Sequence, residues 1–75
     1  MDIKPGLTVR EYDLASNIEY DRSIKFSIAA CRYGRARGKK NQRLAVQYRQ
    51  ESNACFGRYT LALLFRVEAR MRERE

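Results

Sequence analysis

The chain reads as mainly α-helical: a small helical hairpin or three-helix domain with a long C-terminal helix, paired as a dimer. Three observations carry that expectation. Thr8-Val-Arg-Glu11 and Ser16-Asn-Ile-Glu19 both spell a capping box, in which the first hydroxyl and the fourth side chain each bond the other residue's backbone amide. From Leu44 to Met71 apolar residues recur at helical spacing. One proline and few turn dipeptides argue against a chain of short strands. A small mixed α/β or β-sheet domain is the alternative. Ile24, Phe26 and Ile28, and again Tyr59, Leu61, Leu63, Phe65 and Val67, also alternate with their neighbours as a strand would.

In chain order, residues 1–6 with Pro5-Gly6 form a leader, and Thr8 caps a short helix over residues 9–15. Ser16 restarts the helix. Ile24, Ile28 and Cys31 then mark its apolar face up to about Tyr33, with Tyr20 one turn earlier. Gly34 and Gly38 fit a helix end in the left-handed conformation. Residues 32–43 form a basic connecting segment, with Asn41 as N-cap of the last helix. That helix covers residues 42–74. Leu44, Tyr48, Cys55, Phe56, Leu63, Val67 and Met71 are its core face, and Gly57 is a break or kink. Residues 72–75 are a frayed end. Tyr59, Phe56 and Phe65 are expected in the core.

Seventy-five residues make a single small domain that buries only about 60% of its unfolded surface. Residues 61–65 are five consecutive apolar side chains, more than one helix face can hold. A twofold homodimer is the commonest way to cover such a surplus, with Leu61, Leu64 and Phe65 as its interface. That run is far shorter than the roughly 20 residues a membrane span needs, so no membrane partner is expected. The start, MDIKPGLTV, does not read as a signal peptide, and the two cysteines are expected as free thiols. The expected location is cytoplasmic.

No enzyme signature is present. Without histidine the common nucleophile–base pairs cannot form, and Gly34-Arg-Ala-Arg-Gly38-Lys-Lys lacks the spacing of a phosphate-binding loop. Two cysteines cannot complete a four-ligand zinc site, so neither metal nor cofactor is expected. Asp13, Glu19 and Asp21 read as solvated helix surface.

Charge is the informative feature. Residues 1–30 carry four basic and five acidic side chains, whereas residues 31–75 carry twelve and four. The density peaks in Arg32, Arg35, Arg37, Lys39, Lys40 and Arg43, with Tyr33 inside the run and no acid among them. Arginine forks engage phosphate oxygens in pairs, glycine lets backbone approach, and an exposed tyrosine can stack on a base. The stretch resembles the arginine-rich segments of RNA-binding proteins. It is similar in outline to an AT-hook, with Ala36 where that motif has glycine and Gly38 where it has proline.

Two function classes emerge. The first is a small basic nucleic-acid-binding protein, regulatory in kind, that contacts phosphates through residues 32–43. The second is a non-enzymatic adaptor or inhibitor that binds a larger protein through an apolar helix face around residues 61–65.

Overall fold

A computed structural model describes residues 3–74. They form two helices joined by a three-residue turn, α1 (Val9–Arg35) and α2 (Lys39–Arg74), folded back on each other into a rod of 57 × 15 × 14 Å. Among the described residues there is no strand, so the β alternative is set aside, and the three-helix arrangement is not the one found. Among the described residues no helix is long and apolar enough to cross a membrane.

The first capping box forms as the sequence implies. Thr8 Oγ1 accepts from the Glu11 amide at 3.2 Å, and Glu11 Oε1 accepts from the Thr8 amide at 3.2 Å. The second does not act as a helix start. Ser16 lies inside continuous α1, buried, with its hydroxyl donating to the Asp13 carbonyl at 2.9 Å. A hydroxyl that bonds back to a carbonyl of its own helix satisfies itself without ending the helix.

The core differs from the expected one. Seam positions on α1 are Tyr12, Ser16, Glu19, Ser23, Phe26, Ala30 and Tyr33; on α2 they are Ala45, Tyr48, Ser52, Cys55, Tyr59, Ala62, Arg66 and Ala69. Both series advance by alternating steps of three and four, the heptad spacing that keeps one stripe of each helix facing its partner. The register is antiparallel: Tyr12 meets Phe65, Tyr20 meets Tyr59, and Ser52 Oγ donates to the Ser23 carbonyl at 2.8 Å. A serine hydroxyl reaching the backbone of the other helix requires close approach, and the small residues of the seam permit it.

Consequently the larger apolar residues expected in the core lie outside it. Phe56 is 54% exposed, Val67 60% and Met71 64%, while Ile24, Ile28 and Cys31 on α1 are also exposed. Tyr59 and Phe65 are half-buried, against Tyr20 and Tyr12. Gly57 causes no break, and α2 runs through it.

The leader and the far end of α2 close the open end of the rod together. Tyr12 donates its hydroxyl to the Lys4 carbonyl, Arg72 donates to the Leu7 carbonyl at 3.3 Å, and the Val9 amide donates to Glu73 Oε1 at 3.3 Å. Residues 72–74 are therefore helical and tied down; Glu75, the last residue of the expected frayed end, lies outside the described residues, as do Met1 and Asp2.

Candidate nucleic-acid interface

The expected basic connecting segment is mostly helix. Arg32 and Arg35 sit in the last turn of α1, Lys39, Lys40 and Arg43 in the first turns of α2, and only Ala36, Arg37 and Gly38 connect them. α1 ends with Ala36 extended, at φ −78°, rather than in the left-handed cap expected at Gly34. Gly38 has φ +110°, a conformation that L side chains rarely adopt, and is the glycine this turn requires.

Two side-chain amides pin the turn. Asn41 Nδ2 donates to the Arg37 carbonyl at 2.7 Å, and Gln42 Nε2 donates to the carbonyls of Gly34 and Ala36 at 3.4 and 3.3 Å. Asn41 is thus not the N-cap, because α2 begins two residues earlier, at Lys39. Its amide instead holds down the carbonyl side of the turn. The neutral side chains do the structural bonding here, and the cations are left to solvent.

Folding concentrates the charge further than chain order suggests. Residues 22–55 make up the closed half of the rod, and they contain nine cations and one carboxylate, Glu51. Arg22, Lys25 and Arg49 join the six residues of the basic stretch. Of the nine, Arg22 alone meets a carboxylate among the described residues, Glu19 at 3.5 Å. The described residues outside that half carry seven cations and six carboxylates, so the rod has one strongly basic half and one nearly neutral half.

The two helix N-termini show the contrast. α1 starts under a threonine cap with Glu11 in its first turn and Glu73 at the Val9 amide, as the positive end of a helix dipole favours. α2 starts after a glycine that has no side chain to cap it, with no acid in its first turn and with Lys39 and Lys40 as its first residues. Cations at that end repel the dipole and cost helix stability. An anion placed there would meet free first-turn amides and the surrounding cations together.

Tyr33 joins an aromatic ladder. The Tyr48 ring lies between Phe26 and Tyr33, with centroids 6.0 and 5.4 Å away and planes tilted by 25° and 16°. An open groove of about 580 Å³ runs beside the ladder, with Lys25 and Arg32 at its rim and Asn41 near the turn. The sequence places Tyr33 within the basic run but does not by itself connect it to Phe26 and Tyr48. The seven-residue spacing from Phe26 to Tyr33 is the signal that could have done so.

Of the residues expected to form an apolar interface, Leu61 and Leu64 are exposed, Leu64 by 61%, while Phe65 is half-buried against Tyr12 and Ala62 between them lies in the seam. The two cysteines are separate free thiols, Cys31 exposed and Cys55 buried. Burial pushes the Cys55 thiol up; Arg58, whose Nη2 donates to the sulfur at 3.1 Å, opposes the shift, and Glu19 adds to it. Among the described residues no cluster of side chains could hold a metal ion.

Comparison with known protein families, with characterised proteins and with solved structures gave no match.

Proposed function

We propose that this chain is a small basic nucleic-acid-binding protein that works as a homodimer. Its closed end grips the phosphate backbone through Arg32, Arg35, Arg37, Lys39, Lys40 and Arg43, with Lys25 and Arg49 beside them. The observation that carries this reading is the charge of the closed half: nine cations against one carboxylate on one end of a rod, six of them around a turn whose own hydrogen bonds they do not make. A fold that needed these side chains only for solubility would gain more from alternating signs, because like charges packed this closely repel. A polyanion offsets that repulsion and releases counterions as it binds.

Contacts of this kind recognise phosphate before sequence. The ladder beside Tyr33 adds a place for an unpaired base, which favours single-stranded or looped nucleic acid over a fully paired duplex. A surface that binds the backbone without acting on it suits a regulatory role. Filter binding at low salt tests the reading. Wild type retains both single-stranded RNA and DNA, and replacing Arg35 and Arg37 with alanine weakens retention at least tenfold for every sequence tried. Binding that is absent, or that the double substitution leaves unchanged, removes the reading and returns the adaptor class, acting through exposed residues such as Leu61 and Leu64, to first place.

A further inference from the structure

We infer that two copies of the hairpin pair side by side and antiparallel, the basic end of one against the nearly neutral end of the other. The contact centres on one face that is uncharged in its middle. This builds on the homodimer reading above and is independent of whether nucleic acid binds.

Surface area motivates the pairing. The chain exposes 5920 Å², about 1,100 Å² more than the roughly 4,800 Å² of a compact monomer of its mass. Its radius of gyration is 15.8 Å, against about 11 Å for a compact chain of this length. Ten large apolar side chains are exposed among the described residues. Isolated exposed apolar residues are ordinary; a continuous stripe of them marks an interface.

Helical spacing places the stripe. On α1, Tyr20, Ile24, Ser27 and Cys31 succeed one another at steps of three and four. On α2, Phe56, Leu63 and Val67 do the same at seven and four. The Tyr59 ring joins the two rows, with its centroid 5.3 Å from Tyr20 and 5.6 Å from Phe56. Asn17, Asn53 and Thr60 continue these rows without adding charge. Arg49 interrupts the face towards the closed end; towards the open end Asp13, paired with Arg66 at 2.7 Å, and Arg70 border it beside Leu63 and Val67. The uncharged row from Asn17 to Cys31 is about 21 Å long; with the charged stretches beyond it, the whole side of a rod 57 Å long and 15 Å wide offers roughly 800 Å² per copy, the size of a standard stable interface.

Charge selects the second copy's orientation. A parallel pair would bring two closed halves with nine cations each to one end. The antiparallel pair sets each basic half beside the half whose described residues carry seven cations and six carboxylates. Full overlap then brings Arg49 level, to within about one helical turn, with Asp13 of the second copy. The particle would carry a basic tip at each end, able to engage two stretches of one polyanion.

Two measurements test the inference. Light scattering of the full chain at tens of micromolar is expected to give twice the chain mass. Combining Ile24→Glu with Val67→Glu should yield monomer; should that variant unfold, Ile24→Ser with Val67→Thr is expected to raise the dimer dissociation constant at least tenfold with helicity retained. For orientation, Cys31→Ser with Arg37→Cys carries a spin label at the tip. Antiparallel copies put the two labels on the order of 55 Å apart, near the length of the rod, whereas parallel copies put them within about 25 Å. A fully helical monomer of wild type overturns the pairing and leaves the nucleic-acid reading to its own binding assay. A dimer with the short distance overturns the antiparallel arrangement.

Discussion

The Arg58 guanidinium of α2 lies 3.1 Å from the Glu19 carboxylate of α1, yet the two ends of this pair are unequally buried: the Glu19 side chain is 5% exposed and that of Arg58 45%. Burying a carboxylate inside a seam of alanine and serine is costly unless a cation answers it. Arg58 does so while also donating to Cys55, and the Glu19 contact raises its affinity for the proton. The pair therefore ties one level of α1 to one level of α2.

Unequal burial makes the two truncations unequal. Arg58→Ala leaves the buried carboxylate with only the half-exposed Arg22, at 3.5 Å, and is expected to cost about 2–4 kcal/mol. Glu19→Gln leaves an arginine that can turn to water, and should cost about 1 kcal/mol. Thermal melts of the two variants decide this. A Glu19→Gln protein less stable than the Arg58→Ala protein would contradict the assigned burial.

Thiol chemistry separates the two cysteines. Cys31 should react with an aromatic disulfide reagent at the rate of a free peptide thiol, and Cys55 only as fast as the seam opens. Burial raises the Cys55 thiol, so the folded chain holds that proton more tightly than the unfolded one. The resulting stabilisation is complete below the unfolded value near 8.5 and is lost as pH rises through the higher folded value. Wild type should thus lose more stability than Cys55→Ala between pH 7 and 9.5. Parallel curves for the two proteins would place Cys55 outside the seam.

The glycines divide by backbone. Gly57 has helical neighbours on both sides and open space where a Cβ would sit, so Gly57→Ala should stabilise by about 0.8 kcal/mol and raise the melting temperature by about 4–6 °C. Gly38→Ala, at φ +110°, should destabilise by about 1–2 kcal/mol and disorder the presentation of Arg37. Equal effects of the two substitutions would contradict the turn.

Helix content and the Thr8 cap were legible because they depend on neighbours within one turn. The basic stretch was legible because six cations without an acid need no partner to be noticed. The seam was not. Hydrophobic periodicity points to Leu, Ile, Val and Phe, but this hairpin closes on Ala15, Ala30, Ala45, Cys55, Ala62 and Ala69, whose small size rather than their hydrophobicity lets the helices approach. Counting small residues at steps of three and four would have found it, and would have left Ile24, Phe56 and Val67 outside. Glu19 reads as solvated surface in the sequence because its partner, Arg58, lies 39 positions away, and only the antiparallel register joins them. The full extent of the basic half was hidden for the same reason, since Lys25 and Arg49 become its members only when the chain turns back at Gly38.

Salt dependence of nucleic-acid binding puts the closed end's grip on phosphate to its sharpest test. If about four cations of the closed half neutralise phosphates, log affinity should fall against log salt with a slope of roughly −3.6 on duplex DNA and about −2.8 on single strands. Arg35→Ala with Arg37→Ala should flatten that slope by nearly two, whereas Arg70→Ala with Arg74→Ala, at the open end, should leave it unchanged. A slope near zero, or the same flattening from the open-end pair, would contradict a closed end that grips phosphates.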